Sequence, residues 1–163
     1  MSTETNSGQY GPVERRSEFE RGTDGPRVVL VGVDGTRTSL RAAAYAAGLA
    51  RRQRSRLVVV YVAAPSALNI LGDGLIAGAV RGCQDELADE LRRESRRAAE
   101  ELAAPITFLT RRGDPYGELR AAADELRADL VVVGSSEGTG HRLIGSIANR
   151  LVRCGRWPVI VVP

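Results

Sequence analysis

The chain has 163 residues and a mass of 17.5 kDa, room for one domain of ordinary size and not for two. Hydrophobic residues at 43% and charged residues at 26% match soluble globular averages, which excludes disorder of the whole chain, and the longest apolar runs fall well short of the roughly 20 residues a membrane span requires. The net charge of +3 is compatible with an anionic partner, but all 23 basic residues are Arg and they interleave with acids from Asp85 to Arg97, as on a solvated helix face; nucleic acid is therefore not expected as a partner.

Residues 1–26 carry Gly, Ser, Thr, Glu and Arg, with only Tyr10, Val13 and Phe19 as scattered bulk, and are expected to form a flexible tail ahead of one domain over 27–163. The tail lacks the apolar core of a signal peptide and contains acids that a transit peptide avoids, so a cytoplasmic location is expected. From Arg27 onward the chain alternates short β-branched runs with helical periods. The runs Val28–Val33, Leu57–Val62, Ile106–Leu109, Leu130–Val133 and Val159–Val162 read as strands. Several are continuous Val, Ile and Leu, as in a parallel sheet covered on both faces.

The first helix follows from Leu40, Ala43, Ala44, Ala47 and Ala50 on one stripe, with Thr36 or Thr38 as cap. Residues 66–81 contain repeated glycines in an apolar setting and read as either a mobile lid or the frayed beginning of the second helix. The face of that helix is given by Cys83, Leu87, Leu91, Ala98 and Leu102. Asp114-Pro115 starts the third helix, whose stripe is Tyr116, Leu119, Ala123 and Leu126. Gly145-Ser146 opens the last, with Ile147, Leu151 and Val152 apolar, Arg150 and Arg153 toward its C-terminal dipole, and Gly155 as terminator. The order βαβαβαβαβ predicts an α/β fold with a doubly wound parallel sheet and helices on both faces.

In such sheets ligands bind beyond the carboxyl ends of the strands, where the strand order reverses. Asp34, directly after the first strand, can hold a ribose hydroxyl or a phosphate-bound metal, or can cap the first helix or the following turn; both roles are open. Val62 at the end of the second strand offers backbone groups to a base edge. After the fourth strand, Gly134 to Ser146 is a glycine-rich loop leading into a helix N-terminus, with Ser135 and Ser146 as hydroxyl donors, a setting that attracts phosphate. His141 is the only histidine, so a His-based metal cluster is excluded, and a Ser/His/Asp triad would need adjacent loop residues to converge without a nucleophile elbow. Cys83 and Cys154 read as ordinary, mostly buried thiols, and Trp157 as a packing residue before the last strand.

Val31-Gly32-Val33-Asp34-Gly35, Arg112-Gly113-Asp114-Pro115, Ala128 to Ser135, Gly145-Ser146 and Trp157 to Val162 together resemble the universal stress protein family over about residues 27–163. The resemblance implies strand order 3-2-1-4-5, a homodimer, and a stress-response binding module instead of a dedicated enzyme; in that order Val159–Val162 is an apolar edge strand, through which the two copies are expected to join. Its ATP-binding members share a loop G-x2-G-x9-G-[ST]. Carried onto this sequence, the pattern implies that Asp34, Val62, Gly134, Ser135, Gly145, Ser146 and Ile147 bind ATP or another adenine nucleotide, with Gly138 an approximate counterpart of the second glycine. Mg²⁺ bound through Asp34, with slow ATP hydrolysis, is the enzymatic variant of this reading. The loop departs from the pattern: Gly134 precedes Gly145 by eleven positions where the motif has thirteen, and Glu137 stands where the second glycine belongs. A member without nucleotide, acting through protein partners, is the alternative expectation.

Overall fold

The computed structural model of the protein describes residues 25–65, 74–136 and 145–163. Five strands, β1 (Val28–Val33), β2 (Arg56–Ala63), β3 (Ile106–Arg112), β4 (Leu130–Gly134) and β5 (Val159–Val162), form one parallel sheet in the order β3-β2-β1-β4-β5. The helices α1 (Arg37–Gln53), α2 (Gly74–Leu102), α3 (Pro115–Glu125) and α4 (Ser146–Cys154) connect them. Because side chains alternate across each strand, the sheet has two apolar faces. Val29, Val31, Val59, Tyr61 and Val132 meet α1 and α2, while Leu30, Val58, Val60, Val131 and Val133 meet α3 and α4.

The central strands are the most deeply buried: Val29, Leu30, Val31, Val58, Val60, Val131 and Val132 are fully enclosed. β1 begins where Asp129 Oδ2 accepts the amides of Arg27 and Val28 at 2.9 and 3.0 Å. Ser55, buried before β2, donates its hydroxyl to the Pro26 carbonyl. Both contacts tie the start of the domain to the lower edge of the sheet.

α1 differs from its predicted face by one position. The buried residues are Ser39, Ala42, Ala46, Ala47 and Ala50, while Leu40 is 46% exposed and Ala44 lies outside. An alanine-rich helix offers nearly equal stripes in neighbouring phases, and the choice falls to Ser39. Its hydroxyl donates to the Thr36 carbonyl at 2.9 Å and accepts from the Asp34 amide at 3.2 Å, so it is buried with its polar needs met. The Ala43 and Leu49 side chains pack at the margin of the same layer.

α2 settles part of the ambiguity over 66–81: it is regular helix from Gly74, and the lid or frayed-end reading of the remaining residues, 66–73, lies outside the described residues. Its buried residues are Ala88 and Leu91, and in the turn before them Gln84 donates its side-chain amide to the Ala64 carbonyl at 2.9 Å while Leu87 packs at the margin of the core. Cys83 is exposed and Cys154 is half-buried, which corrects the expectation of mostly buried thiols. α3 begins as read, with Asp114 as N-cap accepting the Gly117 amide at 2.8 Å and Pro115 in the first turn; Ala122 joins Leu119 and Ala123 in its buried stripe, while Tyr116 and Leu126 lie half-buried at the margin. In α4, Ala148 and Leu151 are buried and Val152 is 52% exposed, so the predicted stripe shifts there too. Gly155 closes α4 at φ 63°, a left-handed conformation that glycine adopts without strain.

The expected tail falls on residues of which 1–24 lie outside the described part of the chain.

Candidate functional site

β1 pairs with β2 on one side and β4 on the other, so the chain leaves β1 toward α1 and leaves β4 toward α4 in opposite directions. The crevice that opens between such divergent connections is the usual ligand position in a doubly wound sheet. A cavity of about 310 Å³ lies there. Its floor is the ends of β1, β2 and β4, namely Gly32, Val33, Val60, Val62, Val133 and Gly134. Its walls are the first turns of three helices: Thr36, Thr38 and Ser39 before and within α1, Pro115 and Leu119 of α3, and Gly145, Ser146, Ile147 and Ala148 at α4.

Of the residues picked out from sequence, Asp34, Val62, Gly134, Ser135, Gly145, Ser146 and Ile147 all line this cavity. Gly138, together with Glu137, His141 and Arg142, lies outside the described residues. Lining residues not picked out from sequence as site residues include Thr38, Ser39, Val60, Ala64, Pro115, Leu119, Ser136 and Ala148. Pro115 and Leu119 carried a signal, the Asp-Pro start that aims the first turn of α3 at the sheet's carboxyl edge. Thr38 reads in sequence as a helix cap, and Ser39 gives no signal there.

Asp34 sits at the rim. Its Oδ1 accepts the Thr36 amide at 3.0 Å and the Thr36 hydroxyl at 2.6 Å. The Thr36 hydroxyl oxygen in turn accepts the Ser39 amide at 3.3 Å as the N-cap of α1. Asp34 thus caps the turn that follows it directly, while the cap of α1 is Thr36, which the Asp34 carboxylate braces. Partial burial pushes this carboxyl up, but hydrogen bonds from the Thr36 side chain and backbone and from Ser39 outweigh it, and the group titrates below its ordinary value. It is a carboxylate throughout the neutral range.

Across the cavity, α4 starts at Gly145, which has no side chain to cap it. The first intrahelical bond is from the Asn149 amide to the Gly145 carbonyl, at 2.9 Å, so the preceding amides of Ser146, Ile147 and Ala148 lack helical acceptors. They belong to cavity-lining residues. Uncapped amides at the positive end of a helix form an anion site, and the Ser146 hydroxyl adds a donor. The Ser135 amide is not available in the same way, because it donates to the Val162 carbonyl at 2.7 Å.

The glycines have separate reasons to be there. A Cβ on Gly134 would lie 2.6 to 2.8 Å from the backbone of Thr38 and Ser39, so this glycine seats the start of α1 against β4. A Cβ on Gly145 would stand 3.3 Å from Ser136, where the two ends of the Gly134 to Ser146 connection approach each other. The part of the lining made by Val60, Val62, Ala64, Pro115, Leu119 and Ile147 is apolar, a surface against which a flat ring can lie. Among the described residues no group of three or more His, Cys, Asp or Glu is placed to hold a metal ion.

Fold and site together define a doubly wound α/β protein with an anion-receptive cavity at the point where its strand order reverses. Residues 26–163 match the Universal stress protein family, and the chain belongs to it. A universal stress protein of Methanocaldococcus jannaschii is 29% identical over 140 residues, spanning 82% of this chain and 80% of its own. A universal stress protein structure determined in complex with cAMP is 29% identical, with a TM-score of 0.60, 84% of this chain covered and 96% of that one. UspA of Lactobacillus plantarum, 23% identical, shares the fold at a TM-score of 0.69 over 83% of this chain and 97% of its own. No helix among the described residues is long and apolar enough to cross a membrane.

Proposed function

We propose that this universal stress protein is a cytoplasmic, homodimeric binding module that holds an adenine nucleotide in the cavity between Asp34 and the start of α4. The observation that carries the reading is the uncapped N-terminus of α4, whose free amides and Ser146 hydroxyl face a cavity with an apolar slot on one side and a fixed carboxylate on the other. Phosphate lies on the amides, the base lies against Val62, Pro115 and Ile147, and Asp34 meets a ribose hydroxyl. The structure in complex with cAMP, at 29% identity, supports this class of ligand.

The loop from Gly134 to Gly145 is two residues shorter than the ATP-binding pattern, which favours ligands with one phosphate, AMP or cAMP, over ADP and ATP. If ATP does bind, Asp34 is the group that would share a Mg²⁺ ion with its phosphates.

The shortened loop also favours a second reading, a member without nucleotide that works through protein partners. Mass spectrometry of small molecules released from the purified protein separates the two. The nucleotide reading expects an adenine nucleotide that disappears in the Gly145→Val variant, whose added side chain would block approach to the α4 amides. Recovery of no nucleotide from protein kept at high concentration supports the second reading.

A further inference from the structure

The cavity is walled on one side by two separate helices, α3 through Pro115 and Leu119 and α4 through Ser146, Ile147 and Ala148. A ligand that spans the apolar slot and the α4 amides needs these two first turns held at a fixed separation. Outside the cavity, the Arg150 guanidinium of α4 stacks on the Tyr116 ring of α3, 3.9 Å from its centroid. The same guanidinium lies 3.8 Å from Asp114 Oδ2, the oxygen that caps α3 through the Gly117 amide. One side chain thus touches the residues on either side of Pro115, and it leaves α4 one turn after Ser146.

We infer that Arg150 is a positioning residue for the binding cavity, clamping the first turn of α4 to the first turn of α3 through Tyr116 and Asp114. The inference rests on the nucleotide reading above. The ion pair alone is too long and too exposed, with side chains at 55% and 61%, to fix the helices. The flat stacked contact supplies the geometry, and only a planar guanidinium makes both contacts at once. Arg150 itself does not line the cavity, so its effect reaches the ligand through the two walls.

The test is calorimetric titration of the full chain with AMP and with adenosine, alongside thermal unfolding. Arg150→Ala is expected to weaken both ligands by the same factor, about three- to tenfold, because both occupy the slot whose wall moves. Arg150→Lys is expected to stay weakened, since it keeps the charge and loses the planar stack. Tyr116→Leu is expected to match Arg150→Ala, and the double variant to be no weaker than either single one; Tyr116→Phe, which keeps the ring face, restores what Tyr116→Leu loses. A purely structural role would lower the unfolding temperature and leave the affinities of the folded protein unchanged, which overturns the inference. So does loss of AMP affinity alone, which would mean that the charge acts directly on phosphate. A wild-type protein that binds neither ligand removes the nucleotide reading itself and this inference with it.

Discussion

Gly134 at the end of β4 lies so close to Thr38 in the first turn of α1 that a Cβ on it would stand 2.6 Å from the Thr38 carbonyl carbon. Two elements of the sheet's carboxyl edge are thereby locked together, and the glycine is demanded by packing before any ligand is considered. Gly134→Ala therefore destabilises the fold by about 1–3 kcal/mol, as overpacking of a fixed backbone contact does. Gly145→Ala, whose Cβ would meet Ser136 at 3.3 Å, has a smaller effect. Urea unfolding of the two variants checks this order; equal stability of Gly134→Ala and the wild type would show that α1 can move away.

Most of the sheet is legible in the sequence because strands buried on both faces have no choice of composition: Val28–Val33 and Val159–Val162 are found with the bounds read from their Val and Ile runs. Helix faces are less legible. In α1 the alanine stripe is degenerate, and the phase is decided by the Thr36–Ser39–Asp34 hydrogen bonds, which are tertiary in effect though local in sequence. In the cavity, the residues after strands and at helix starts were legible from glycine, aspartate and serine. Val60 and Ala64 were not, because an apolar residue that lines a slot looks the same in sequence as one that fills a core. Arg150 looked like a complement to the helix dipole, and its stack on Tyr116 depends on where α3 lies.

The Asp34 carboxyl titrates below its ordinary value in the folded protein, so its contribution to stability is present above the unfolded value of about 4 and is lost as pH falls through the lowered folded value. Replacing it by Asn removes that part of the acid sensitivity. Thermal unfolding from about pH 5 down to pH 2.5 should show a shallower decline for Asp34→Asn than for the wild type; parallel curves would mean that the bracing of Thr36 carries no charge dependence.

We expect a homodimer formed through β5. Among the described residues this strand pairs only with β4, and all four of its residues are half-buried, an apolar edge that invites a second strand. The opposite edge, β3, ends in Arg111 and Arg112, which pair with Glu125 and Asp85. The helices packed beside β5 also leave Leu40 and Val152 about half exposed, at 46% and 52%. Sedimentation at micromolar concentration should give a dimer for the wild type and monomer or aggregate for Ile160→Asp. A monomeric wild type contradicts the expectation.

Residues ahead of Gly25 are expected to be dispensable for folding. The contacts that anchor the start of the domain, from Ser55 to the Pro26 carbonyl and from Asp129 to the Arg27 and Val28 amides, all lie after that point. A chain starting at Gly25 should unfold within about 1 kcal/mol of the full one. A loss of several kcal/mol would show that the upstream residues complete the core.

The central claim is that the cavity between Asp34 and α4 receives an adenine nucleotide, and the most direct measurement is calorimetric titration of the full chain with AMP, cAMP, ADP and ATP, each with and without Mg²⁺. The account predicts saturable binding that is tightest for AMP or cAMP and weaker for ATP, and that is weakened by Asp34→Ala and by Gly145→Val while both variants remain folded. The absence of heat or thermal stabilisation with any of the four at millimolar concentration would contradict it.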